Sequence, residues 1–265
     1  MGWVLDKLDA WGSGALVFLS FTLLGIAVIV VIDVALHALV RDEVRTRASY
    51  TAAWALSVLA TIYAVLAAFV IVDEYGQLQN TQQAVSDKAA ALSAVSENSR
   101  ALPEGDGQPV RNAALEYATT VVDVGFPSLA DRGQFTSRTD RSLEHLFTEV
   151  QDVEPTSRSD TAFYDQIVVN LDRVVQTRTT LSTAARQTVP SALVAVLIVN
   201  GLTILVIASL LDTKHRRSHL FILGALALTI SLSLALVVSL DQPFDGVIRV
   251  NDDPMQDFIT YRSER

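Results

Sequence analysis

Cysteine is absent from the 265 residues, which excludes a disulfide framework, a thiolate metal site and a cysteine nucleophile. Histidine is sparse. His37, His145, His215 and His219 are scattered along the chain, and none has a zinc-type spacing with acidic partners. Lysine is scarce beside arginine, and the formal net charge is −9. That balance disfavours a nucleic-acid partner, because no basic face is available to offset phosphate repulsion. No β-type alternation and no internal repeat is visible. The chain also lacks a metal triad, a nucleophile elbow and a phosphate-binding glycine loop. It therefore reads as a non-enzyme without a cofactor.

What the chain has is apolar length: half of its residues are hydrophobic. Four runs reach the roughly 20 residues needed to cross a bilayer. They are Gly14–Val40, Thr51–Val72, Ser191–Leu211 and Leu220–Leu240. The expected class is an all-α integral membrane protein with four transmembrane helices, its first partner the lipid bilayer. Trp3, Val4, Leu8 and Trp11 share one face of a short interfacial helix over residues 1–12. The first run is too long, and its head too poor in positive charge, for a cleavable signal peptide.

Charge sets the expected orientation. Arg41, Arg45 and Arg47 occupy the first short loop, 41–50, and Lys214, Arg216 and Arg217 the second, 212–219. Positive loops stay inside, so both are expected in the cytoplasm of a plasma-membrane protein, with 74–189 and the C-terminus outside.

The stretch Thr51–Leu102 organises the rest. It begins as a span, passes Asp73, Glu74 and Tyr75, and continues helical: Leu78, Val85 and Leu92 recur at sevens, with Val95 and Leu102 offset from them. The first strong breaker is Pro103, which predicts one rod leaving the bilayer. Pro103–Gly107 reads as a turn. A second helix is expected from Pro109 through Leu115, Tyr117, Val121 and Val122 to Gly125, ended by Phe126-Pro127. A third is expected over Thr139–Val150, capped by Ser137 and Asp140, with Leu143, Leu146, Phe147 and Val150 as its stripe. A fourth runs from Ser159 through Phe163, Ile167, Leu171, Val174, Val175 and Leu181 into the third span without a clear loop. The expected organisation is therefore 1–73 (interfacial helix and two spans), 74–189 (a helical bundle continuous with spans two and three), 190–240 (two spans) and 241–265 (a tail).

Five groups of residues are candidates for function. Asp33, His37 and Arg41 lie four apart on one helical face, as an ion relay or as a local pair that snorkels to the headgroups. Asn200, beside Gly201 in mid-span, lines a pore or bonds a neighbouring helix. On span two, Ile62, Leu66 and Val70 form one stripe, and Val65, Phe69 and Asp73 another. Around an oligomer axis either stripe gives a hydrophobic constriction with an acidic mouth; otherwise both are ordinary apolar faces. Asp241, Asp245, Asp252 and Asp253 are a weak calcium candidate without EF-hand spacing, and an exposed acidic tail is the plainer reading. Pro243 and Gly246 suit a turn that folds the tail onto the bundle.

The closing segment Asp241-Gln242-Pro243-Phe244-Asp245-Gly246, followed by Arg249-Val250 and Pro254, resembles the terminal motif of bacterial four-span proteins of the bestrophin-like family. Tyr63–Val70, Ala84-Val85, Ala89–Leu92 and Leu102-Pro103 fit the same pattern. Ala48-Ser49 stands where that family often has His-Asn, and Gln242 where it favours a basic residue. The resemblance implies a relation to bestrophins, which are pentameric anion channels with long second and third helices and a cytoplasmic helical domain. It thus implies a homo-oligomer and opposes the orientation read from charge. Two functions remain open: an oligomeric ion channel, or a non-conducting envelope protein whose outer bundle binds or senses a partner.

Overall fold

The computed structural model describes residues 19–20, 22–32, 42–211, 216–245 and 248–263. The interfacial segment 1–12, Asp33, His37, Arg41, Lys214 and Gly246 lie outside the described residues. The described helices are α1 (Thr22–Ile32), α2 (Asp42–Asn98), α3 (Glu104–Thr120), α4 (Phe126–Arg132), α5 (Ser137–Gln151), α6 (Arg158–Ala184), α7 (Ser191–Ser209), α8 (Arg216–Leu240) and α9 (Asp253–Ser263). No strand occurs among the described residues.

The chain divides into two units. One comprises 1–75 and 188–241, the other 76–187 and 242–265. α2 contributes to both. Its 57 residues contain no proline and a single glycine, Gly76, so nothing interrupts the backbone ladder for about 85 Å. A 3-10 turn, Ser99–Ala101, ends it before Pro103.

Among the described residues three helices are long and apolar enough to cross a membrane: the Tyr50–Ala101 helix, Ser191–Ser209 and Arg217–Leu240. Of the four expected spans these are the second, third and fourth; the first is represented by the shorter apolar helix α1. Tyr63, Ala67 and Val70 of α2 pack with Leu197 and Ile204 of α7 and with Leu223, Ala227 and Ile230 of α8. Gly201 permits this closeness, since a Cβ there would lie 2.9 Å from Ile230 Cγ2.

The second unit is a helical bundle with its own core. Leu78, Val85, Leu92, Val95 and Leu102 are all buried, as their spacing predicts. α3 packs on α5 and on α9. Leu143, Leu146 and Val150 of α5, and Ile167, Leu171, Val174 and Leu181 of α6, are buried as expected; Phe147 and Val175 of the same stripes are half-buried, and Phe163 stays exposed.

Four local expectations are corrected. Glu104–Gly107 is not a turn but the first turn of α3, where Pro103 O accepts from Asp106 N and Gly107 N at 3.0 and 2.9 Å. Phe126-Pro127 does not end the second helix. The π turn Val121–Gly125 widens the backbone ahead of Pro127, which relieves the ring's clash with the carbonyl four residues back. Gly133, at φ 64°, ends α4 instead. The capping box is not at Ser137. It is at Ser157, whose hydroxyl accepts from Asp160 N while Asp160 accepts from Ser157 N; Asp140 pairs with Arg178. Finally, α6 does not run into the third span. It stops at Ala184, and 185–190 is non-helical, because Pro190 starts α7 as its N-cap and cannot continue α6. Span two is thus continuous with the bundle and span three is not.

Candidate functional site

The outward face of α2 carries the most distinctive chemistry of the first unit. Trp54, Val58, Ile62, Val65, Phe69 and Val72 recur at three or four residues, and all are exposed. The opposite face, Ala52, Tyr63, Ala67 and Val70, is buried. The two predicted stripes separate accordingly. Val65, Phe69 and Asp73 stand together on the exposed side; of the other stripe, Ile62 is exposed, Leu66 is half-buried and Val70 is buried. Asn200 lies on α7, half-buried, with its Oδ1 enclosed and without a hydrogen-bond partner.

Tyr63 anchors the packed side. Its hydroxyl shares a 2.6 Å hydrogen bond with Ser233 Oγ of α8. At the polar end of the apolar stretch Glu74 is buried. Burial raises its pKa above the ordinary carboxylate value, and the charges of Asp241 and Asp73 push it the same way. Asp241 itself accepts from Val189 N at 2.5 Å, which satisfies a donor in the non-helical 185–190 segment. The first residue of the terminal motif therefore holds the entry to α7.

The rest of the motif serves the bundle. Phe244 stacks on Phe126 with centroids 6.2 Å apart, and Val250 N donates to Pro243 O at 2.7 Å, closing a turn. The Gln82 side chain clamps the tail by accepting from Asn251 N and donating to Asn251 O at 2.6 and 3.0 Å. Arg249 is exposed. Asp241, Asp245, Asp252 and Asp253 do not gather into one cluster: among the described residues no group of three or more His, Cys, Asp or Glu could hold a metal ion. Asp252 instead accepts from Met255 N through its backbone carbonyl at 2.9 Å, in the first turn of α9.

Two residues escaped the sequence reading. Glu74 stands where the apolar run ends, yet it continues the packed series Tyr63, Ala67, Val70 at helical spacing and is buried. Lys88 falls between Val85 and Leu92 on the buried stripe and is fully enclosed. The periodicity that identified the stripe also contained both of them.

Comparison with solved structures gives the same fold. A single-residue variant of a bacterial bestrophin homologue from Klebsiella pneumoniae superposes with a TM-score of 0.70 at 12% identity, covering 94% of this chain and 99% of that one. The homologue solved by zinc phasing gives 0.66 at 13% identity, covering 93% and 96%. No curated protein matches. Residues 23–255 match the Bestrophin-like domain, and that span is most of the chain. With its apolar spans and helical bundle, the chain belongs to the bestrophin-like family of membrane proteins.

Proposed function

We propose that the protein is a homo-oligomeric ion channel, as bestrophins are, in which α2 faces the axis. The observation that carries this reading is the continuous apolar face of α2 from Trp54 to Val72, left uncovered beside a packed opposite face. Set around an axis, Ile62, Val65 and Phe69 would form a dewetting constriction and Asp73 its polar mouth. Leu66 and Val70 take part through packing rather than by facing ions. Asn200 supplies a buried carbonyl oxygen one helix behind. Five subunits are the expectation from bestrophins.

Planar-bilayer recording of the purified oligomer tests this. Phe69→Ala removes the largest side chain of the face and is expected to raise unitary conductance several-fold. Silence across anions and cations from intact oligomers would overturn the channel. It would favour the second reading, in which the bundle binds an envelope partner. For that role the bundle has an open cleft of about 670 Å³, lined by Asn112, Glu116, Asp123, Arg138 and Arg141.

The orientation belongs to the same proposal: the arginine-rich loops inside, the bundle outside. The exposed connection Glu154–Ser157 between α5 and α6 reports it. An arginine-specific protease added to intact spheroplasts is expected to cut at its end, after exposed Arg158. Cleavage only after lysis would put the bundle in the cytoplasm.

A further inference from the structure

The cleft between α3 and α5 carries opposite charges on its two walls. Glu116 and Asp123 stand on the α3 side, Arg138 and Arg141 on α5, and all four are exposed. No ion pair joins these arginines to these carboxylates. Arg141 uses only its Nε, which donates to Ser137 O at 3.3 Å. The side chains of Arg138 and Asp123 bond no described residue. Glu116 Oε2 lies 3.0 Å from His145 Nδ1, and its Oε1 faces no partner.

The floor adds an independent signal. Thr120 lines it and is only 8% exposed, yet its hydroxyl bonds no described residue. Its neighbour Thr119 instead donates to Leu115 O at 2.9 Å. The Thr120 oxygen is not sealed in, as Ser96 Oγ is, so it opens on the cleft. A hydroxyl that enclosed is costly unless a group in the cleft bonds it. Asp123, for its part, is placed by the π turn Val121–Gly125, a backbone form that recurs at functional sites. At about 670 Å³ the cleft has the room of a small-ligand site.

We propose that this cleft binds a small zwitterion of amino-acid to dipeptide size. Its carboxylate meets Arg138 and Arg141, its ammonium meets Asp123 and Glu116, and Thr120 Oγ1 bonds a polar group between them. An ion of one sign suits the cleft poorly, because an anion at the arginines faces two carboxylates across the gap, and a cation at the carboxylates faces two arginines. A molecule with one charge of each sign makes charge-assisted bonds at both walls. Guanidinium also takes a carboxylate through two parallel bonds. The proposal takes up the cleft of the second reading but needs no protein partner, and conduction does not enter it.

Thermal unfolding of the full-length protein in detergent tests the site, with alanyl-alanine added at constant ionic strength. Wild type is expected to gain midpoint temperature saturably. N-acetyl-alanyl-alanine lacks the ammonium, and alanyl-alanine amide lacks the carboxylate. Each is expected to need about tenfold more for half the gain. Asp123→Asn is expected to narrow the discrimination against the acetylated peptide and keep that against the amide. Arg138→Gln is expected to do the reverse. Both positions are exposed, so both variants should fold. No gain with any peptide, an equal response to all three, or unchanged discrimination in both variants would overturn the site. Wild type that captures an envelope protein yet ignores alanyl-alanine would leave the second reading standing and strike this one alone. A peptide response without a captured protein would do the opposite.

Discussion

Gly107→Ala is expected to destabilise the bundle, although alanine is the better helix former. A Cβ at Gly107 would lie 2.1 Å from the backbone oxygen of Ser99, the residue that opens the 3-10 turn ending α2. A backbone carbonyl cannot swing aside as a side chain can. The first turn of α3 must therefore retreat, weakening the Arg111 Nη1 bond to Ser99 O, now 3.2 Å, and the packing of fully buried Val110. Overpacking of this kind costs about 1–3 kcal/mol or more, against a helix-propensity gain of about 1 kcal/mol. Gly105→Ala is the internal control. Nothing lies within 4 Å of its Cβ position, so only the propensity gain remains, about 0.5–1 kcal/mol. Two alanines two residues apart should thus move the midpoint of thermal unfolding in opposite directions. A stabilised Gly107→Ala would mean that α3 does not seat on the end of α2.

Phe258→Ala is expected to release the C-terminal helix as a unit. Phe258 and Met255 are the buried anchors of α9 in the bundle core. Arg262, itself largely enclosed, donates to Glu97 Oε1 at 3.0 Å. Eleven residues are too few for a helix stable alone in water, so α9 holds its backbone bonds only while docked. Truncating a buried phenylalanine costs about 3–5 kcal/mol. Amide protection over 255–263 should therefore fall by at least about 10²-fold in hydrogen exchange, while the α5 amides keep theirs. The Gln82 clamp on Asn251 precedes the helix and should hold the 242–251 segment in place. Equal loss of protection throughout the bundle would show that α9 is part of one cooperative core and not a docked strap.

Much of the architecture was legible because it is periodic. The apolar spans, the seven-residue recurrence of Leu78, Val85 and Leu92 and the stripes of α5 and α6 are local patterns, and in the bundle burial follows them. The terminal motif likewise pointed to the family that residues 23–255 match. What misled was punctuation. Gly105 and Gly107 suggest a loop when counted as residue types, yet Gly107 is there to admit the Ser99 carbonyl. Pro127 suggests a stop, yet a π turn carries the chain past it. Ser137 and Asp140 have capping-box spacing, but Asp140 is drawn to Arg178, 38 residues away.

The chain by itself determined that helices form, which stretches are long and apolar enough to cross lipid and which stripes seek a core, because hydropathy and 3.6-residue spacing act over a few turns. Only the tertiary structure decided that Asp241 would hold Val189 ahead of α7, that Glu74 would be buried, and that Lys88 would be enclosed beside Tyr117 and Phe135. Each of these depends on partners far away in sequence, and no local pattern records which side chain will arrive.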